Sequence, residues 1–138
     1  MGTQLKNYDS VLVPWALTLQ GLSYIWGETD CGTLVRRGLI LISDKDPFLN
    51  IPYWNTEQKA RQIWHDLGGV DKGFIDLGAR LVHTNYVQTG DVGLLTIAGE
   101  ETSFLVIANR YLFSTKNGIK FRKIINWDKF NVRFYRFV

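Results

Sequence analysis

Hydrophobic and polar positions change period once along this 138-residue chain, near residue 83. Upstream of that point apolar residues recur at three- and four-residue spacing, the repeat of amphipathic helices. Tyr8, Val11, Leu12, Trp15, Ala16 and Leu19 make one stripe. Pro14 interrupts it and is expected in the first turn of that helix, where its missing N–H costs least. A second helix is expected to open at Cys31, with Leu34, Val35, Leu39, Ile40 and Ile42 forming an apolar surface broad enough to be largely buried. Asn55 followed three residues later by Gln58 has the form of a capping box. It predicts a third helix with Ala60, Ile63, Trp64 and Leu67 on one face and Gly68-Gly69 as its stop. Phe74, Leu77 and Leu81 predict a short fourth helix.

Downstream the texture is that of strands. "DVGLLTIA", "SFLVIANRYLFS", "GIKFRKII" and "NVRFYRFV" are rich in β-branched and aromatic residues, and "GEET", "TKNG" and "NWDKF" between them carry turn chemistry. Asn117-Gly118 is the clearest hairpin turn. Helices first and an antiparallel sheet second predict one α+β domain over residues 1–138, helical over about 5–82 and sheet over about 90–138. The terminal strand "NVRFYRFV" is expected at a sheet edge, open to a strand from another protein.

Composition narrows the function classes. Lys and Arg number 16 against 13 Asp and Glu. The basic excess lies at Lys116, Lys120, Arg122, Lys123, Lys129, Arg133 and Arg136, alternating with apolar residues as the solvated face of strands does. No dense basic patch or module for specific nucleic-acid binding is present. No run reaches the roughly 18 apolar residues of a membrane helix, and the N-terminus has no apolar signal core. The expectation is a soluble protein made in a cytoplasm. One cysteine and two histidines give neither a disulfide framework nor a closed zinc site, so no metal or cofactor is expected.

The single cysteine carries the candidate chemistry. Cys31 is placed at a helix N-terminus, with Thr29 or Asp30 as cap, where unpaired N–H groups favour a thiolate. "YIWGETDCGTLV" resembles the nucleophile signature of the NlpC/P60 papain-like superfamily, in which an aromatic residue, Trp26-Gly27, Asp30-Cys31 and the small hydroxyl residue Thr33 lead into the central helix. "TGDVGLL" is similar to that family's Gly-Asp strand, here Gly90-Asp91. In this order, over about residues 5–138, the pattern is similar to a compact branch found in phage and prophage tail modules. The resemblance implies a papain-like fold with helices packed on an antiparallel sheet. For active members it implies cleavage of peptidoglycan stem peptides by a Cys-His-polar triad.

The triad is where the chain departs. Alignment puts the family's base near Ser103 and its orienting residue near Phe113, and neither side chain can take a proton from a thiol near neutral pH. His65 is expected on a helix surface. His83, just before the Gly-Asp strand, is the remaining candidate base if Cys31 is a nucleophile. The missing base favours Cys31 as a packing residue, since an unpaired thiol packs as a small hydrophobe. Trp26 is a candidate groove wall, and Tyr53-Trp54, in a loop after Pro52, a candidate protein interface. The resemblance therefore implies a structural or assembly component of a long-tailed phage tail or tail tip. It would contact other tail proteins, tip or hub, in the virion. The alternatives are an active cysteine peptidase or amidase contacting peptidoglycan during DNA entry, and a generic binding domain.

Overall fold

Asn7 starts the first helix by accepting a hydrogen bond from the Ser10 N–H, and α1 runs Tyr8–Leu19. The computed structural model describes residues 7–97, 99–123 and 131–137. Helix α2 spans Cys31–Ser43 behind the cap Asp30. Helix α3 spans Glu57–Asp66 and α4 spans Val70–Asp76. The strands are β1 (Arg80–Val82), β2 (Val92–Ile97), β3 (Glu100–Ile107), β4 (Arg110–Thr115), β5 (Gly118–Lys123) and β6 (Arg133–Arg136), with a short 3-10 turn at Thr84–Tyr86. They form one six-stranded sheet in the order β1-β6-β2-β3-β4-β5. Its pairings are antiparallel. The chain is an α+β domain, and no helix among the described residues is long and apolar enough to cross a membrane.

Helices α1 and α2 cover one face of the sheet, with α2 packed chiefly on β3. Gly38 permits this approach, because a Cβ there would lie 2.3 Å from Leu105 Cδ2 and 3.2 Å from the Trp15 ring. The alternation along β3 and β4 sends Ser103, Leu105, Ile107, Leu112 and Ser114 to the helix side. Phe104, Val106, Tyr111 and Phe113 go to the other side, where they join Phe134 in a second cluster. The main core also holds the aromatic group Phe48, Trp54, Trp64 and Phe74, whose rings meet mostly edge to face.

Several elements differ from expectation. Pro14 lies in the middle of α1 rather than its first turn. The carbonyl left without its helical donor is that of Ser10, an exposed residue, so water can satisfy it. Helix α3 is capped by Thr56, which accepts from the Lys59 N–H at 3.1 Å, and Asn55 instead accepts from the Lys59 ammonium. Leu81 belongs to strand β1, 63% exposed, so the helical part ends at Asp76. "SFLVIANRYLFS" is a hairpin. Its turn contains Ala108 at φ 56°, a left-handed residue whose N–H bonds Thr89 Oγ1 at 2.7 Å.

The terminal strand is the most consequential difference. β6 sits inside the sheet, between β1 and β2, so it is no open edge. Its basic residues are not all solvated either. Arg136 makes a two-pronged contact with buried Asp91 at 2.7 and 2.8 Å, and Arg133 bonds Asp71 at 2.8 Å. Ile124, Ile125, Lys129 and the expected "NWDKF" turn lie outside the described residues.

Candidate functional site

The segment before α2 is held by two buried polar side chains. Thr29 Oγ1 accepts from the Ile25 N–H at 2.6 Å and donates to the Ser23 carbonyl at 2.7 Å. Asp30, 1% exposed, accepts four hydrogen bonds. They come from the Thr33 N–H at 3.0 Å, the Thr33 hydroxyl at 2.7 Å, the Gly27 N–H at 2.6 Å and Trp54 Nε1 at 3.1 Å. Asp30 is thus both the cap of α2 and the anchor of the loop carrying Trp54. Gly27 and Gly32 leave room for that loop: a Cβ at Gly27 would meet Tyr53 Oη at 2.5 Å, and one at Gly32 the Trp54 ring at 2.9 Å.

This geometry corrects one expectation. Trp54 is 3% exposed and serves the core, because its indole N–H finds a buried carboxylate and its ring packs on Trp64. Tyr53 is the exposed member of the pair, at 65%. Its hydroxyl reaches back to the Gly27 carbonyl at 3.4 Å.

Cys31, half-buried as a residue, turns its sulfur toward β3. Burial pushes the thiol above its ordinary value and the Asp30 charge pushes the same way, against hydrogen bonds from the Ser103 backbone and hydroxyl and from the Gly32 N–H. Ser103 is therefore the side chain set against the thiol, at the position that the resemblance assigns to the base. Neither histidine is among the groups acting most strongly on the sulfur. His83 is exposed, accepts from the Asn85 N–H at 3.1 Å and faces Tyr86. It follows β1, at the sheet edge farthest from β4 and β5, and lines no part of the cavity beside Cys31. The structure separates His83 from Cys31.

Phe113, near which the resemblance puts the orienting residue, is on the other side of the sheet from α2. It is stacked on Tyr111. Its neighbour Ser114 shares the helix-side face with Ser103, and its buried hydroxyl has no partner among the described residues.

A cavity of about 610 Å³ opens beside the thiol, within the usual size of a small-ligand site. Cys31 and Ser103 line it together with Trp26, Trp64, Phe74 and Leu94. Polar side chains also line it: Glu57, Arg61 and His65 from α3, and Glu100 and Glu101 at the start of β3. Arg61 bonds Glu57 at 3.0 Å and also Glu100, tying α3 to the sheet. Tyr24, edge-on to Trp26, has its phenol pushed well up, first by burial and then by its electrostatic surroundings, Asp30, Glu57 and Glu100 among them. Among the described residues no group of three or more His, Cys, Asp or Glu side chains is arranged to hold a metal ion.

A family described as a domain of unknown function (DUF6950) matches residues 3–130. The chain belongs to this DUF6950 family. A search of curated proteins gives no match. The family match takes in the whole Cys31 site and strands β1 to β5, leaving β6 beyond it.

Gly90 and Asp91, singled out as a motif, act on the framework. Gly90, at φ 96°, donates its N–H to the Val106 carbonyl at 2.9 Å. Asp91 receives Arg136 and the Gln88 N–H at 2.8 Å. Sequence reasoning passed over Tyr24, Glu57, Arg61, Glu100 and Glu101. The four-residue spacing of Glu57 and Arg61 was a signal for that pair; Glu100 comes to them only through the fold.

Proposed function

We propose that this domain is a catalytically inactive relative of NlpC/P60 peptidases. In this reading it serves as a structural or assembly component of a long-tailed phage tail or tail tip, binding other proteins rather than cutting peptide bonds. The observation that carries the reading is the partner of the thiol. Cys31 is set against the hydroxyl and backbone of Ser103, and a serine hydroxyl cannot act as a base toward a thiol near neutral pH. A thiol-bearing helix laid across an antiparallel sheet, with Trp26 lining the adjacent cavity, is the arrangement the resemblance implies for such a fold.

One observation favours the alternative, an active cysteine peptidase: His65 lines the same cavity as Cys31. Its side chain is 85% exposed and turned toward Asp66, a poor setting for a base that must meet a buried sulfur. The two readings separate on purified protein incubated with peptidoglycan stem peptides. No cleavage is expected, from the native chain or from Cys31→Ala. Turnover that vanishes in Cys31→Ala overturns the inactive reading, and His65→Gln then tests the base. The tail assignment is tested by mass spectrometry of purified virions. The protein is expected in tails, and its absence there overturns that assignment.

A further inference from the structure

The charge of the cavity runs against that of the chain. Lys and Arg outnumber Asp and Glu by 16 to 13 overall, yet the cavity is lined by Asp30, Glu57, Glu100 and Glu101 against Arg61, the one Lys or Arg there among the described residues. Asp30 is spent on its four donors. The three glutamates stand at the mouth, with Glu57 and Glu100 more than half exposed and both held by a single guanidinium. The walls beneath them are aromatic, with Trp26 and Trp64 partly exposed. Aromatic faces below and carboxylates around the opening select a cation that carries an apolar stem.

We propose that this cavity receives a lysine side chain presented by a partner polypeptide, lying across the mouth with its stem on the tryptophan walls and its ammonium among Glu57, Glu100 and Glu101. The inference rests on reading the domain as a binding component. Arg61 has a defined part in it. With no partner present its guanidinium satisfies Glu57 and Glu100, so it competes with the incoming ammonium. Removing this cation should tighten the binding of another cation.

The single cysteine supplies the readout, since its sulfur adjoins the cavity. Iodoacetamide labelling of Cys31 and tryptophan fluorescence are followed during titration with a capped Ala-Ala-Lys-Ala-Ala peptide and with the same peptide carrying norleucine or glutamate in place of lysine. The lysine peptide is expected to slow labelling and shift the fluorescence, and the other two to do neither. Glu100→Gln is expected to weaken lysine-peptide binding about two- to fivefold, the range of one exposed ion pair, and Arg61→Gln to strengthen it by a similar factor. Both side chains are more than half exposed, so the variants are expected to fold, and their circular dichroism is compared with that of the native chain. Equal binding of the lysine and norleucine peptides, binding of neither, or weaker binding in Arg61→Gln overturns the proposal. So does n-butylammonium binding as well as the peptide, which makes the site one for small amines. None of these results bears on whether the protein is in tails, and its absence from tails leaves lysine binding to stand or fall on the titration.

Discussion

Asp30→Ala removes one side chain and strands three donors. The Thr33 N–H loses its cap, a loss of about 1 kcal/mol in typical helices. The buried Trp54 indole N–H, bonded at 3.1 Å, is left without its acceptor, which costs about 1–3 kcal/mol. The Gly27 N–H, bonded at 2.6 Å, loses a charged acceptor of comparable worth, while the Thr33 hydroxyl can rotate to another partner. These terms share one carboxylate and do not simply add, so the expected loss is about 3–5 kcal/mol. For a domain of this length that is a fall of about 10–15 °C in Tm. Asp30→Asn keeps an acceptor oxygen for Thr33 and Trp54 but presents an amide to Gly27, and should cost about 1–3 kcal/mol.

Urea titration of the native chain, Asp30→Asn, Asp30→Ala, Trp54→Phe and the Asn-Phe double variant measures these differences. The coupling between positions 30 and 54 should be about 0.5–3 kcal/mol. Asp30 also raises the Cys31 thiol through its charge, so Asp30→Asn should speed alkylation of Cys31 at a fixed pH while weakening the fold. Both variants falling within about 0.5 kcal/mol of the native chain, the range of ordinary surface changes, would refute the account of Asp30 as the joint between α2 and the Trp54 loop.

Further outcomes follow from other contacts. Arg136→Met leaves the Asp91 carboxylate, 1% exposed, without its cation, and should cost about 3–5 kcal/mol in urea titration; Arg136→Lys should recover only part, since an ammonium cannot replace the two-pronged contact. Ala108→Gly should stabilise by about 0.5–1 kcal/mol, because Ala108 is exposed at φ 56° and glycine adopts that conformation without its Cβ penalty. The thiol of Cys31 and the phenols of Tyr24 and Tyr135 are all raised in the fold, burial being the first cause of each. Above about pH 8.5 for the thiol and about pH 10 for the phenols the unfolded chain sheds protons that the native state keeps. Stability should therefore be full below that range and fall as pH rises through it, and melts from neutral to alkaline pH should show Cys31→Ala flattening the first part of the fall.

Helices α1 to α3 and most strands were legible because burial on one face leaves a periodic trace in the sequence. The places where reading failed have local physical causes. The β3–β4 turn at Ala108 contains no glycine, and Thr89, remote in sequence, holds it in a left-handed conformation. Phe113 faces away from the helices, and in a strand one residue is the whole difference between two faces. Ser114, the next residue, faces the core instead, and its buried hydroxyl has no partner among the described residues. Trp54 read as an exposed loop aromatic because its loop placement was visible and its acceptor was not. Asp30, which buries it, was already taken as a helix cap, and one carboxylate serving a cap and an indole is a property of the fold.

The position of Cys31 poses a contest of magnitudes that the sequence could state but not decide. A helix N-terminus favours a negative group by about 0.3–1 kcal/mol, up to about 2 when partly buried, while full burial of an ionisable group can raise its pKa by about 3–5 units. Burial is the larger effect, and the raised thiol follows it. The helix end is weakened further by its own cap, since Asp30 takes the Thr33 N–H and adds a negative charge beside the sulfur. A catalytic thiol in such a place needs an adjacent cation to reverse the balance, as an imidazolium does. Ser103 offers only hydrogen bonds, which lower the thiol without overcoming burial. A sulfur kept neutral adds no charge of its own to a cavity already rimmed by three glutamates.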